Sequence, residues 1–518
     1  MPPDNEDKSQ PAASTSVYAV YGVEPEVQAY AMAKYSRSAL SMKESLREIS
    51  EQRAEKFLNT YYFQYGHRSI ADLAHIAFAI ERLSILAAIA VVDEQRWDGQ
   101  ERSTRYQDFS HPDYYIPDFG GSSDARRRYT ETIDYLFAEY QALSASMFQY
   151  YRDRTPRPPE MKQEAYERTV RARAFDVARY LLPLATNTSL GQIVNARTLE
   201  AQISRLLSDP FPEVRALGQS LKDAARNPAY NVNAAAIREL WQQVKNGDGT
   251  WKKMAEMVLR EVRPAPTLVK YAEASPYLMQ TREQLGHAAA EIMEGAAIHS
   301  VPPVDLLDDE SLEVELATTL LYEHCAYPYR QIHERICALS DVERREIINL
   351  GLKHRGPHDE LLRPFSAGQQ FRFDILMDIG GFRDLHRHRR CVQIHQAFTQ
   401  AHGYDIPDDL ASAGVRRHYE SVMDRVQSTV AELKDTADAQ TATVAIYMLP
   451  LAFRKRTLFK MDLAEAAYVS ELRTGPAGHF SYRQVAYLMY EAVAQRYPEL
   501  ARHFRVTDIC QSVDLLKR

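Results

Sequence analysis

A chain of 518 residues, 45% hydrophobic and 26% charged, has the composition of a soluble globular protein. It is too long for one ordinary core and corresponds to about two to four domains. A formal net charge of −7 argues against nucleic acid as a partner but leaves room for local arginine clusters that hold a small anion. The cysteines Cys325, Cys337, Cys391 and Cys510 are widely spaced with no C-x-x-C, which excludes a disulfide framework or zinc finger and fits a reducing cytoplasm.

Residues 1–15, rich in Pro, Asp, Asn, Glu, Gln and Ser, read as a disordered tail without the apolar core of a signal peptide. A helical pattern runs from about Glu24 to Tyr65. Gly66-His67-Arg68-Ser69 follows, and Ile76–Ser84 then alternates with the period of two expected of a half-buried strand. The most apolar run, Leu83–Val92, falls well short of the roughly 20 residues that span a bilayer, so no membrane segment is expected. Helical patterns resume at 126–152, 164–182 and 192–207. Pro264-Ala265-Pro266 and Val301-Pro302-Pro303-Val304 flank a charged, loop-like stretch that places a boundary at about 285–308. A second alternating run, Phe371–Ile379, precedes helical patterns at 410–448 and 484–496. The expected fold is α+β: two tandem copies of a helix-rich domain, over 16–285 and 309–518, each with a small, mostly antiparallel sheet.

The two halves carry parts of one framework. In the first, the alternating run is followed by Glu101-Arg102-Ser103-Thr104-Arg105-Tyr106, then by Arg179-Tyr180-Leu181-Leu182-Pro183, Asn195-Ala196-Arg197, Arg205 and Glu213-Val214-Arg215. In the second it leads into Arg387-His388-Arg389, then Met448-Leu449-Pro450, Asp462-Leu463-Ala464, Arg473 and Tyr482-Arg483. The spans from Pro183 to Arg215 and from Pro450 to Arg483 are nearly equal, which suggests internal duplication.

These motifs resemble the flavin-dependent thymidylate synthases, whose signature is an Arg-His-Arg followed after a short gap by Ser-x-Arg-Tyr. A Gly-His-x-Ser segment and a strand come before it, and Leu-Pro, Asn-x-Arg and Glu-Ile-Arg segments come after. The resemblance covers nearly the whole chain as two divergent copies. Ser103, Arg105 and Tyr106 match Ser-x-Arg-Tyr, Glu101 the acidic or amide position before it, Arg179 the arginine before Leu-Pro, and Asn195 with Arg197 the Asn-x-Arg. Asp93-Glu94-Gln95 stand at the first copy's Arg-His-Arg position. The second copy keeps Arg387-His388-Arg389 and Arg473, but has Ala397 and Thr399 at the serine and arginine positions and Asp462-Leu463-Ala464 at Asn-x-Arg. Asp384 lies where the family tends to have glutamine or glutamate.

The resemblance implies sites shared between subunits of a homotetramer, so each copy retains what the other has lost. One composite site per chain is expected. It implies Arg473 as the catalytic cation at the uracil, Glu101, Ser103, Arg105 and Arg179 as substrate-binding residues, and Arg387, His388, Arg389, Asn195, Arg197 and His67 as cofactor-binding residues. The implied reaction converts dUMP to dTMP with FAD as cofactor and NADPH and methylenetetrahydrofolate as co-substrates, in a cytoplasmic homodimer that mimics the tetramer. The small-molecule partners are thus a nucleotide and a folate, with no nucleic acid, membrane or metal.

Arginine suits this task because its planar fork pairs with phosphate oxygens. Two other readings stand beside this one. A degenerate homologue binds nucleotide or flavin without turnover. Alternatively, His354, His358-Asp359, His386, His388, His395 and His402 serve a metal-dependent phosphohydrolase.

Overall fold

The protein is described here by a computed structural model covering residues 23–35, 68–109, 111–243, 254, 258–259, 261–307, 311–356, 362–365, 371–436, 438–502, 504–511 and 516. The expected tail over 1–15, most of the helix predicted to Tyr65, and His67 lie outside these residues. Two compact units are present. The smaller comprises residues 1–74 and 225–268. It contains α1 (Pro25–Tyr35), whose Glu26 Oε2 accepts the backbone N–H groups of Thr267 at 2.9 Å and Leu268 at 3.3 Å.

The larger unit comprises residues 75–224 and 269–518 and contains the sheets of both copies. In the first copy β1 (His75–Ser84) leads directly into α2 (Ile85–Val92), β2 (Asp98–Glu101) follows, and a helical pair, α3 (Ser123–Arg154) and α4 (Gln163–Ala178), precedes β3 (Asn187–Asn195), α5 (Ala196–Leu207) and α6 (Pro212–Arg226). The apolar run after β1 is thus a short buried helix. Among the described residues, no helix is long and apolar enough to cross a membrane. The second copy adds a short strand, β4 (Val304–Leu306), and then follows a corresponding order: β5 (Phe371–Asp378), α7 (Ile379–Leu385), β6 (Val392–His395), α8 (Arg416–Lys434), β7 (Arg454–Met461), α9 (Leu463–Arg473) and α10 (Phe480–Arg496).

Both sheets are antiparallel, ordered β1-β3-β2 and β4-β5-β7-β6. This is an α+β fold in two copies, and the registers correspond. Ser84 opposes Asn187 as Asp378 opposes Arg454, and Glu101 opposes Leu190 as His395 opposes Thr457. Asn195 and Asp462 both cap the helix after the central strand, their side chains accepting the N–H groups of Thr198 and Glu465 at 2.8 Å. Arg82, at φ 59°, forms a bulge that only the first copy carries.

The copies meet at their Leu-Pro segments. Pro183 bridges Pro450; Leu184 N–H donates to Leu449 O and Leu451 N–H to Leu182 O, both at 2.9 Å. Ala185 N–H to Tyr447 O, 2.8 Å, is matched by Ala452 N–H to Tyr180 O, 3.2 Å. This reciprocal exchange has the form of an isologous dimer contact made within one polypeptide.

Several strands differ from the sequence expectation: the short β2, β4 and β6 follow no alternating run, β4 lies in the stretch expected to be loop-like, and β3 and β7 were missed as well. The stretch 192–207, read as helical, begins as β3 and becomes α5 only at Ala196. β7 carries no strand signal because its sequence, RKRTLFKM, is rich in cations, yet Lys455, Arg456 and Lys460 are buried. Each has a partner. Arg456 Nη1 lies 2.9 Å from Asp374, Lys460 Nζ 2.6 Å from Glu315, and Lys455 Nζ donates to Gln396 O at 2.6 Å.

Candidate active site

The site forms where the loop after β2 and the end of α4 in the first copy face α7, α9 and α10 in the second. Asp378 caps α7 by accepting the Gly381 N–H at 2.6 Å and takes the Ser481 hydroxyl on its other oxygen. In the first copy the exchange of residue types is reversed: Ser84 caps α2 and donates its hydroxyl to Glu213 at 2.6 Å. At Gly380 a Cβ would come tightly against Asp378 Oδ1, at 3.1 Å, and into ordinary contact with Arg179 Nη2, at 3.4 Å. Short and tightly capped, α7 presents Arg383 and Asp384, and Arg387 follows within a turn.

Glu101, Ser103, Arg105 and Arg179 of the first copy and Arg387 and Arg473 of the second line one cavity of about 390 Å³, together with Arg383, Asp384 and Tyr482. Its volume lies in the range of small-ligand sites. Arg105 Nε donates to Asp176 at 2.8 Å and Nη1 to Tyr482 OH at 3.0 Å. Burial works against its charge, but Asp176 overrides this and holds the pKa above the ordinary arginine value. Ser103 Oγ accepts the Arg105 N–H at 3.2 Å, which shapes the turn. Glu101 pairs with Arg383 across the copies.

Arg179 is the exception among these cations. It is 2% exposed, Nε and Nη2 have no partner, and Nη1 stands 3.7 Å from Asp384 Oδ2. A buried guanidinium with two idle nitrogens is costly unless a ligand completes it. Asp384 also bonds Arg387. Burial raises its pKa, but Arg179, Arg387, Arg105 and Arg473 outweigh that and keep it below the usual carboxylate range.

Arg473 is aimed by His388, whose Nε2 accepts the Arg473 Nε–H at 2.8 Å while Nδ1 faces Glu465 at 3.3 Å. Burial depresses the His388 pKa, so the neutral imidazole serves as acceptor. His388 therefore supports Arg473 and is absent from the cavity lining. Arg389, paired with Asp98 at 2.5 Å, lines a neighbouring cavity of about 250 Å³ with Trp97 and Asn195. The side chain of Asn195 is engaged as a helix cap, and Arg197 lies in the first turn of α5. Sequence reasoning gave no site role to Asp176, Arg383, Glu465 or Tyr482. Asp176 could have been found one turn before Arg179 on a helix that had to be buried.

The reciprocal position is filled by the protein itself. Arg205, near the end of α5 as Arg473 is at the end of α9, pairs with Glu94, the counterpart of His388, at 2.8 Å. Asp93, the counterpart of Arg387, pairs with Arg363 at 2.5 Å and His395 at 3.2 Å. Asp93, His386 and His395 converge closely enough to invite comparison with a metal site, but Arg363 shares the same carboxylate oxygen and Lys455 lies nearby. Of the other histidines considered for a metal, His358 with Asp359 lies outside the described residues, and His388 is committed to Arg473.

The family model described as "thymidylate synthase complementing protein" matches residues 20–228 and 308–499. The chain belongs to that family. Within it, the chain is 26% identical to a "UPF0159 protein" of Chlamydia muridarum, over 96% of this chain and 93% of that one. It is 27% identical to a "Flavin-dependent thymidylate synthase" of Clostridium tetani, over 35% of this chain and 68% of the relative. A solved UMP/dUMP methylase of Streptomyces cacaoi, bound with 5-Br dUMP, is 18% identical with a TM-score of 0.30, over 40% of this chain and 87% of that one. The two matched stretches contain the two copies whose sheets the fold shows.

Proposed function

We propose that the cavity between the copies is the active site of a flavin-dependent thymidylate synthase that methylates dUMP using methylenetetrahydrofolate and NADPH, with one site per chain. The observation that carries this reading is Arg179: a buried guanidinium with two unpartnered nitrogens, in a cavity lined by five further arginines, fits an anionic ligand. The family, described as thymidylate synthase complementing, and the Clostridium tetani relative, named a flavin-dependent thymidylate synthase, support the flavin and the thymidylate parts of this reading.

Arg179, Arg105 and Ser103 hold the nucleotide phosphate. Arg473, kept in place by His388, faces the pyrimidine and stabilises negative charge that develops on the ring as C5 becomes nucleophilic. Arg387, whose Nε is buried and unpartnered, and the partly exposed Arg389 fit the pyrophosphate of FAD, with Asn195 and Arg197 beside them. FAD, when bound, supplies hydride transfer and carriage of the one-carbon unit. The copies exclude water along the buried side that Arg179 and Tyr482 form. With the reciprocal position filled by Asp93 and Glu94, each chain acts as a dimer in one piece, and two chains rebuild a four-copy assembly.

The test is expression in a thymidine auxotroph, together with the absorbance of the purified protein. The expected outcome is growth without thymidine and a yellow protein; a colourless protein that fails to rescue contradicts the reading. A second reading, binding without turnover, is favoured by the carboxylates that already counter Arg105, Arg383 and Arg387. It predicts a yellow protein without rescue.

A further inference from the structure

The cations of the cavity already surround an anion, and it belongs to the protein. The Asp384 carboxylate is 8% exposed, bonds Arg387, and faces Arg179 Nη1 at 3.7 Å. Arg105 and Arg473 act on the same carboxylate through space. Two guanidinium groups thus stand against one carboxylate at the end of α7, and that carboxylate lines the cavity with them and with Arg105 and Arg473. Arg179 is the group with nitrogens to spare, and Asp384 stands beside it. A phosphoryl group that reaches for Arg179 meets a like charge held in the ring of arginines it needs.

We propose that Asp384 is a specificity-determining residue of this site: its carboxylate is an internal counter-anion that a phosphoryl ligand must displace from Arg179 and Arg387 before it binds. Two consequences follow from the geometry. Affinity for any phosphorylated ligand is set by a contest with Asp384, so the site holds phosphate more weakly than its arginine content suggests. The ligand-free cage stays ordered because its own carboxylate ties the arginines together. The ligand class is a phosphate monoester dianion. The inference deepens the proposed function and rests on it for the identity of the nucleotide, but the anion contest itself does not depend on the pyrimidine.

The experiment compares the full chain with Asp384→Asn, which removes the charge and keeps the shape. Calorimetric titration is carried out with inorganic sulfate, dUMP and deoxyuridine. The expected result is that sulfate and dUMP bind about tenfold or more tightly to the variant, while deoxyuridine, which has no phosphoryl group, is unchanged. If dUMP binds neither protein but sulfate tightens as expected, the role of Asp384 stands and the pyrimidine reading fails. Unchanged or weaker sulfate and dUMP binding in a folded variant overturns the proposal and makes Asp384 an orienting residue for the arginines. Should the variant fail to fold, sulfate soaked into crystals of the unaltered protein decides. An ion between Arg179 and Arg387 with Asp384 swung away supports the proposal, and an undisturbed Asp384–Arg387 pair at saturating sulfate overturns it.

Discussion

Arg179 and Arg473 show how differently two arginines in one cavity are prepared. Arg473 is oriented in advance by an imidazole acceptor, whereas Arg179 is fixed by packing and left with two nitrogens unpaired. The first suits charge that appears only during reaction, the second a ligand that is charged throughout. Arg179→Met is expected to lower dUMP affinity by about 100-fold, on the order of 3 kcal/mol for lost charge-assisted hydrogen bonds. The melting temperature of the ligand-free protein is expected to fall modestly, because the buried Asp384 loses the guanidinium that stands 3.7 Å from it. Calorimetric titration and thermal melts check both halves of this expectation. His388→Ala, by contrast, is expected to lower kcat with little change in nucleotide affinity. Steady-state kinetics that showed a rise in KM alone would place His388 on the substrate instead.

Among the elements, β7 carries the least expected chemistry. Burial pulls the pKa of Lys455 down to about 8, against Asp93 and Glu323, which raise it. Between pH 8 and the ordinary lysine value, the unfolded chain binds this proton and the folded chain does not, so rising pH adds stability across that window. Lys455→Met removes the slope, a difference on the order of 3 kcal/mol between the ends of the window. Denaturant melts of both proteins at pH 7.5 and 10.5 measure it. The same strand explains why part of the fold was hidden in the sequence. The alternating runs Ile76–Ser84 and Phe371–Ile379 announced β1 and β5, whose boundaries are His75–Ser84 and Phe371–Asp378. The partner of β5, β7, alternates nothing, because its cations Arg456 and Lys460 are neutralised by Asp374 and Glu315 from elsewhere in the chain, and a tertiary pairing leaves no local periodicity. β3 was missed for a simpler reason: it runs without a break into α5, with Asn195 as the cap.

At the scale of the molecule, buried neutral histidines make the structure sensitive to acid. Burial holds His395 and His479 at about 3 and His402 at about 4. The unfolded chain takes up these protons near pH 6.5, so stability is lost as pH falls from there towards the folded values. The denaturant midpoint is expected to drop between pH 7.5 and 5.5, and His479→Gln should shrink that drop if it still folds. The sequence revealed the duplication through ordered motifs, because residues that grip a ligand are specified one by one. It could not reveal which carboxylates would answer them across the fold: Asp176 meets Arg105 and Asp384 meets Arg179 only through the packing of helices. Nor could it show that Glu94 and Arg205 would close the reciprocal position.

The central claim is that the two copies build one site per chain and have closed the other. Counting ligands tests this most directly, by titrating the purified chain with FAD and dUMP and repeating the titration with Arg387→Ala. One flavin and one dUMP per chain, with flavin lost in the variant, is the predicted result. Two of each per chain, or flavin binding that survives the loss of Arg387 unchanged, would contradict it.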